Sequence, residues 1–323
     1  MGSCTKLLVA ALVAGTVLTG ANSAAALPRG GDDVARHTRI TAALGASQPF
    51  GRWRPAPTPA PTPTPSPSAT PTPPPAGATT AVPVGDLPGW TQVFRDDFTT
   101  PVPVGQFPGS TYGARWGGYD GQRDTSKRGL YAPSKVLSVS NGALTWAMHT
   151  ENGVPLVAAP VPKLPTYGQS YGRYSVRFRT SSTPGYKMAF LLWPDSDRWD
   201  EGEIDWPEAG VLGQRPYAAS LVPGSPSSAG GARFLPTGAA TGGAAAPTDT
   251  SGWHVATTER TPGRIVASWD GVPVATVTSN VPTASMHWVL QAETQIGGAA
   301  PAASAVGRIE VDWAVAYRYS PTR

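Results

Sequence analysis

Short runs of alternating apolar and polar residues recur from about Gly85 to the C-terminus, each bounded by glycine, proline, asparagine or aspartate. Three of them are YGRYSVRFRT (171–180), RIVASWDGVPVATV (264–277) and RIEVDWAVAYRY (308–319). A period of two is typical of strands that bury one face, and the stretches SNG and WDG indicate hairpin turns. No long stretch has helical periodicity. Roughly a dozen strands over about 235 residues predict a large antiparallel sandwich of two sheets with few or no helices, and a barrel is the alternative.

The composition along the chain predicts four parts. Residues 1–26 combine one lysine, an apolar stretch and a closing run of alanines, which is typical of a secretory signal peptide. A retained membrane anchor is the alternative, although the apolar run is shorter than the ~20 residues of a span. Residues 27–54 are a short basic segment that we expect to be disordered, and residues 55–84 alternate proline with threonine, which favours an extended polyproline II linker. The globular domain is predicted at 85–323.

Cysteine and charge usage narrow the classes of function. The only cysteine, Cys4, lies in the predicted signal peptide, so the mature protein would fold without disulfides. The net charge is +4 without a basic cluster, which argues against a nucleic-acid partner. The four histidines form no spaced pair that would indicate a metal site. We expect a secreted or cell-surface monomer with no stable membrane insertion after signal cleavage.

One stretch, DEGEIDWPEAG (200–210), concentrates acidic residues in a chain of which only 14% is charged. On a strand Glu203 and Asp205 point the same way, and strict alternation would send Glu208 to the other face. Pro207 cannot donate a hydrogen bond to a neighbouring strand, which favours a bulge at Trp206-Pro207. One extra residue there would return Glu208 to the face of Glu203 and Asp205. The sequence therefore predicts three carboxyl groups on one face.

Three like charges held close cannot all ionise at ordinary pH, so the pKa of at least one must rise. A retaining glycosidase needs this arrangement, with one ionised carboxylate to attack and one protonated carboxyl to donate. With a bulge, Glu203 and Glu208 lie about 13 Å apart along the strand, so only a curved sheet brings them to the ~5 Å of a retaining pair. An exposed acidic patch and a cation site are the alternatives.

The stretch GEIDWPE resembles the E-I-D-x-x-E signature of glycoside hydrolase family 16, the laminarinase and lichenase group. VFRDDF, YGRYSVRFR and LLWP before it, and WHVATTERTPGRIVASWDG and VDWAVAYRY after it, resemble the same family in order. The resemblance covers about Trp90 to Ser320. It implies a concanavalin-like β-jelly roll of two curved antiparallel sheets that cleaves internal bonds of β-linked polysaccharides with retention, and no cofactor is required.

Carried over residue by residue, the resemblance implies that Glu203 is the nucleophile, Glu208 the general acid/base and Asp205 the assisting carboxylate. It also implies that the ring of Trp199 lies near the cleaved bond. Two departures from the family concern the substrate. Many laminarinases carry a histidine where this chain has YAASLVPG (217–224), and the following stretch, 225–247, is a loop of small residues with few aromatics. Both departures weaken the expectation of a β-1,3-glucan preference.

Further residues are candidates for substrate binding because aromatic rings stack on sugars and amides bind hydroxyl groups. They are Trp193 beside the motif, Trp116 in a glycine-rich loop, and Gln291 and Glu293, which share a face of one strand. The alternatives are a core position or loop anchor for each ring and a solvent-facing outer strand for the polar pair. Asp312 lies where relatives of the family often hold a structural calcium ion, and a hydrogen-bonded strand aspartate is the alternative.

The sequence thus favours a secreted endo-acting β-glycanase that acts on a β-glucan-like polysaccharide. A carbohydrate-binding sandwich without catalysis and a transglycosylase on the same scaffold are the alternatives. Neither the sugar nor the linkage follows from the sequence, because the loops that shape a binding site decide both.

Overall fold

The computed structural model describes residues 81–221, 232–235 and 249–321. The predicted signal peptide, the N-terminal segment and the linker up to residue 80 lie outside the described residues, as does most of the predicted small-residue loop. Within that loop, residues 232–235 form a strand, which the sequence analysis does not predict.

Strands dominate the described residues, as the alternating runs predict. They are β1 (Trp90–Asp96), β2 (Trp116–Gly118), β3 (Leu130–Tyr131), β4 (Leu137–Ser140), β5 (Ala143–Glu151), β6 (Val154–Val157), β7 (Pro160–Pro162), β8 (Gly172–Thr180), β9 (Tyr186–Pro194), β10 (Glu203–Ala209), β11 (Tyr217–Leu221), β12 (Ala232–Leu235), β13 (His254–Thr261), β14 (Arg264–Trp269), β15 (Val272–Val277), β16 (Met286–Thr294) and β17 (Gly307–Tyr319). Helical structure in the described ranges is limited to α1 (Gly109–Tyr112), α2 (Pro133–Val136) and a 3₁₀ turn (Trp199–Glu201). None of these helices is long and apolar enough to cross a bilayer.

Two sheets account for most of these strands. The larger sheet has ten strands in the order β15-β14-β13-β8-β17-β5-β6-β3, with β1 added beside β17 and β4 beside β5. The smaller sheet has five strands in the order β12-β11-β10-β9-β16, and β2 and β7 form a separate pair. Neighbouring strands run antiparallel except for β3 and β6, which are parallel. The predicted all-β jelly-roll sandwich is confirmed.

The core lies between the two sheets and is rich in aromatic rings. Phe178 of β8 meets Phe190 of β9 edge-on, with ring centroids 5.4 Å apart. Tyr174 of β8 likewise lies 5.5 Å from Trp288 of β16. Because side chains alternate along a strand, the neighbours of Phe190 and Trp288 in sequence point away from the larger sheet. The smaller sheet therefore has one face in the core and a second face, which carries the acidic motif.

The outer side of the larger sheet has its own small apolar cluster. Trp313, Val315 and Tyr317 of β17 are buried there against Val82 and Trp90. Residues at the end of the predicted linker thus contact the domain, and the Gln92 side-chain amide donates a hydrogen bond to the Pro83 carbonyl at 3.0 Å.

Candidate active site

The acidic strand β10 contains the bulge that the sequence predicts. Asp205 pairs with Leu191 of β9, and Glu208 pairs with Ala189, so three steps along β10 match two along its neighbour. The same shift occurs against β11 on the other side. The bulge lies at Trp206-Pro207, whose peptide bond is cis. The bulge returns Glu208 to the face of Asp205, and we call this face of the smaller sheet the site face.

The residues between the acids point into the core. Ile204 is buried, and the ring of Trp206 packs edge-on against Trp269 of the larger sheet at 5.9 Å. The Trp206 indole also donates a hydrogen bond to the Ser268 carbonyl at 3.0 Å. These contacts fix the strand in register, so its acidic side chains cannot rotate away from the site face without loss of core packing.

Two of the three acids of the motif are in direct contact. Asp205 is buried, 3% exposed, and its carboxyl group hydrogen-bonds that of Glu203. The Trp199 indole donates a second hydrogen bond to Glu203 Oε2 at 3.1 Å. Gly202, with a φ of 105°, allows the chain to turn from the 3₁₀ turn into β10, which places Trp199 over Glu203.

Burial and mutual repulsion shift the ionisation of this cluster. Burial, followed by the negative charge of Glu208, raises the pKa of Glu203 from 4.5 to about 7. Burial, followed by the charges of Glu203 and Glu208, raises the pKa of Asp205 well above its ordinary value. The cluster therefore retains protons near neutral pH, as the sequence predicts for like charges held close.

A buried lysine on β9 joins the acids. Lys187 is 5% exposed, and its Nζ lies 3.1 Å from Glu208 Oε1 and 3.7 Å from Glu293 Oε2. Burial alone would lower the pKa of Lys187, but the charges of Glu208 and Glu293 outweigh burial and raise it. Lys187 is thus an ammonium group in the middle of the site face. Period-two alternation places Lys187 on the same face of β9 as Trp193 but does not predict its partners.

The predicted binding residue Glu293 lies on the site face but is enclosed. Its side chain is 0% exposed, and its Oε1 accepts hydrogen bonds from the Thr125 backbone and hydroxyl and from the Tyr131 hydroxyl, at 2.9, 2.7 and 2.5 Å. A carboxylate with these partners has no room to bind a sugar hydroxyl, so the prediction of direct substrate contact by Glu293 is wrong. The segment that covers it, which includes Thr125 and Tyr131 of β3, lies more than 160 positions earlier in the chain. Period-two alternation contains no signal for such a cover.

The other predicted residue of this strand, Gln291, remains accessible. It pairs with Ala189 in the row of Glu208 and is partly exposed. Its contact with substrate stays a prediction.

An aromatic group continues the site face at its Glu203 end. Trp193 pairs across the sheet with His287, and Tyr167 stacks on the His287 ring with centroids 4.6 Å apart. His287 also lies 3.2 Å from Asp195 Oδ1 and 3.5 Å from the Tyr119 hydroxyl. The sequence predicts Trp193 but neither His287 nor Tyr167, because their stacking joins segments that are far apart in the chain.

Trp116 does not lie on the site face. Its ring is fully buried at 0% exposure, among Phe94, Phe98 and Phe107, and its indole donates a 2.7 Å hydrogen bond to Asp96 Oδ2. A ring enclosed on all sides cannot stack on a sugar, so the prediction that Trp116 binds substrate is wrong and the loop-anchor alternative applies.

The predicted calcium ligand Asp312 lies at a bulge of β17. Its Oδ2 is 2.6 Å from Nη1 of Arg177. Calcium takes 6–8 oxygen ligands, and among the described residues no three His, Cys, Asp or Glu side chains form a group that could hold a metal ion. Asp312 is thus engaged in an ion pair with Arg177, and calcium binding at this position stays a prediction.

Together, the two sheets and the acidic site face define an all-β sandwich of the concanavalin-like jelly-roll class. No family model and no curated protein matches the sequence of the chain. Solved structures match its fold. One is a non-specific endo-β-1,3(4)-glucanase of glycoside hydrolase family 16, with a TM-score of 0.57, 17% identity, and coverage of 73% of this chain and 94% of that chain.

Two further solved structures of similar fold are a laminarinase and a structure from work on O-glycanases. The laminarinase from Rhodothermus marinus matches with a TM-score of 0.56 and 20% identity, over 72% of this chain and 99% of that chain. A structure from work on endo-acting O-glycanases, which members of the human gut microbiota express to initiate mucin breakdown, matches with a TM-score of 0.54 and 18% identity, over 70% and 98%. These comparisons establish the fold, which is the fold that the resemblance to family 16 implies.

Proposed function

We propose that the chain is a retaining endo-β-glycanase, which cleaves internal bonds of a β-glucan-like polysaccharide through a covalent intermediate on Glu203. The observation that supports this proposal most is the bulge in β10, which turns Glu208 to the face of Glu203 and Asp205. A nucleophile, a proton donor and an assisting acid are then on one face, as a retaining mechanism requires.

In the first step a Glu203 carboxylate oxygen attacks the anomeric carbon, and the bond to the leaving sugar oxygen breaks. Glu208 transfers its proton to that oxygen. With a pKa of about 7, Glu203 is ionised in a large fraction of molecules at neutral pH. Burial, followed by the charges of Glu203 and Glu208, raises the pKa of Asp205 well above its ordinary value, so the Asp205 carboxyl group is suited to donate a hydrogen bond to the attacking carboxylate.

In the second step water attacks the anomeric carbon, and the ester bond to Glu203 breaks. Glu208, now a carboxylate, takes the proton of the water and returns to its starting form. The two carboxyl groups supply nucleophile, acid and base, so the proposed mechanism requires no cofactor, and full activity after treatment with a chelator would support this part of the proposal.

Trp193 and Tyr167 of the aromatic group at the Glu203 end, together with Trp199, form the proposed platform for the sugar chain. Trp199 and Tyr167 are 42% and 39% exposed and are the aromatic side chains among the exposed large hydrophobic residues of the described ranges. Their ring faces, with that of Trp193, offer surfaces on which pyranose rings can stack. The solved structures of similar fold include several glucanases and a structure from work on O-glycanases. We propose a β-glucan substrate because most of these structures are of glucanases.

The test is incubation of the full-length protein with laminarin, mixed-linkage β-glucan, galactan and mucin. We expect new reducing ends from a β-glucan, with a fall in viscosity that precedes the release of small sugars, as internal cleavage requires. Product spectra recorded early by NMR should contain the β-anomer first, which is the signature of retention.

Three variants connect activity to the named residues. Glu203→Gln and Glu208→Gln should each abolish cleavage while leaving the near-UV circular dichroism spectrum unchanged. Glu310→Gln, the same substitution at a glutamate that pairs with Arg179 on the larger sheet, is the matched control and should retain activity. Full activity in either site variant would refute the assignment, and carbohydrate binding without any cleavage by the wild type would favour a lectin-like sandwich.

We also propose that the protein is exported, because residues 1–26 have the composition of a signal peptide. Detection in the culture medium of a mature form that begins after Ala26 would support export.

A further inference from the structure

Lys187 and Glu293 form a buried ion pair beside the site that the proposed mechanism does not use. Lys187 Nζ lies between two carboxylates, at 3.1 Å from Glu208 and 3.7 Å from Glu293. We propose that Lys187, anchored by Glu293, is a positioning residue for Glu208. It holds the Glu208 carboxyl group on the site face and stabilises the carboxylate that remains after Glu208 has donated its proton. This inference rests on the role of Glu208 in the proposed function.

Glu293 is suited to serve as the fixed end of this arrangement. Three donors from Thr125 and Tyr131 converge on its Oε1, which holds the group in place and leaves Oε2 directed at Lys187. The buried Glu293 carboxylate keeps the ammonium group of Lys187 in the site, because either charge would destabilise the folded protein if it were buried without its partner.

Lys187 and Glu208 are arranged so that the lysine acts on the acid. The side chains of Glu293 and Lys187 are 0% and 6% exposed, and that of Glu208 is 13% exposed. Glu208 is thus the most accessible of these three residues. The charge of Lys187 also acts on Glu203 and Asp205, in the direction that favours their ionised forms. Lys187 therefore offsets the mutual repulsion of all three acids.

The ionisable groups that face Glu208 come from every neighbouring strand. Glu203 and Asp205 lie on the same strand as Glu208 and on the same face. The Tyr217 hydroxyl of β11 hydrogen-bonds Glu208, and burial followed by the charge of Glu208 raises the pKa of Tyr217. Lys187 of β9 faces Glu208 with its ammonium group, 3.1 Å from Glu208 Oε1.

Glu293 of β16 and Tyr131 of β3 lie behind Lys187. Burial, followed by the charge of Glu293, raises the pKa of Tyr131 well above its ordinary value, so Tyr131 remains a neutral donor. Lys187 therefore supplies a positive charge between the carboxyl groups of Glu208 and Glu293.

This arrangement predicts opposite effects for two substitutions. Without the ammonium group, Glu208 retains its proton to higher pH, so Lys187→Met should move the alkaline limb of the kcat/KM profile upward, by about one to three pH units for an opposite charge at this distance. Without the Glu293 charge, Lys187 acts on Glu208 alone, so Glu293→Gln should move the same limb downward. A merely structural ion pair would lower the melting temperature in both variants without opposite shifts.

The experiment uses the full-length protein and two readouts. The first is the pH profile of kcat/KM on the β-glucan that the wild type cleaves best. The second is ¹³C NMR titration of glutamate side-chain carboxyls, with the Glu208 signal assigned by its loss in Glu208→Gln. The NMR titration needs no substrate, so it tests Lys187 even if the wild type cleaves none of the polysaccharides, an outcome that would refute the proposed function alone.

Lys135→Met is the matched control, since Lys135 pairs with Glu151 at 3.5 Å on the surface, and both readouts should remain as in the wild type. If Lys187→Met fails to fold, Lys187→Met/Glu293→Gln removes both buried charges and should still show a smaller upward shift, because Lys187 is the nearer group to Glu208. An unchanged titration of Glu208 in the folded lysine variant, or shifts of the same sign in the two single variants, would overturn the proposal.

Discussion

Replacement of Glu203 by glutamine should stabilise the folded protein at alkaline pH. Burial, followed by the charge of Glu208, raises the pKa of Glu203 from 4.5 to about 7. Between these two pH values the folded state binds more protons than the unfolded chain, so the free energy of unfolding falls as the pH rises. The shift corresponds to about 3 kcal/mol. This contribution is fully present below about pH 4.5 and is lost above about pH 7.

Glutamine has the same shape and does not ionise, so the variant avoids this loss. Relative to the wild type, Glu203→Gln should therefore gain little stability at pH 5 and about 3 kcal/mol at pH 8. For a domain of this size the gain corresponds to an increase of about 6–12 °C in melting temperature. The assay is urea unfolding at pH 5 and pH 8, followed by tryptophan fluorescence, with melting temperatures measured in the same buffers.

The control for this experiment is Glu310→Gln. Glu310 pairs with Arg179 at the partly exposed surface of the larger sheet, so its replacement should cost at most about 1 kcal/mol, with little difference between the two pH values. If Glu203→Gln changed stability equally at pH 5 and pH 8, Glu203 would titrate as an ordinary acid, and the reasoning from its burial and acidic neighbours would be refuted.

Three further outcomes are expected. Trp116→Ala should lower the free energy of unfolding by about 3–5 kcal/mol, as for other large core residues, while KM stays as in the wild type; a raised KM with unchanged stability would return Trp116 to the binding site. Tyr167→Ala should raise KM for long substrates several-fold with a smaller effect on kcat, measured by initial rates, and an unchanged KM would contradict its role as a platform. Deletion of Pro207 removes the extra residue of the bulge but preserves the pairing of Asp205 with Leu191 and of Glu208 with Ala189, so the deletion variant should fold and retain measurable cleavage. Complete loss of activity in a folded deletion variant would mean that the bulge itself, and not only the face of Glu208, is required.

The strand pattern and the bulge are predictable from the sequence because both depend on local rules. Alternation fixes which side chains share a face, and Pro207 identifies the position at which the alternation breaks, since it has no backbone donor for a neighbouring strand. The same parity places Lys187 and Trp193 together on one side of β9. These rules need no knowledge of the rest of the molecule.

The segments that bury Glu293 and Trp116 are not predictable from such local rules. Glu293 is enclosed because Thr125 and Tyr131, from a segment far away in the sequence, contact it. Trp116 is enclosed because three phenylalanines surround it. Periodicity states which way a side chain points but not whether another segment lies above it. Both incorrect predictions therefore concern residues whose direction or chemistry suits a binding site but whose burial is decided by long-range packing.

The acidic stretch 200–210 stands out in a chain that is only 14% charged. Its role follows from the burial of its carboxyl groups and from their closeness to one another. A solvated acidic patch would leave its carboxylates near their ordinary pKa values, whereas burial raises the pKa of both Asp205 and Glu203. A cation site would direct the carboxylates at an open position, whereas Lys187 already lies against Glu208 at 3.1 Å. Both alternatives for the motif thus fit the structure less well than a proton-sharing cluster. The fold tolerates the cost because one lysine and retained protons offset the repulsion, and a retained proton beside an ionisable carboxylate is what cleavage of a glycosidic bond needs.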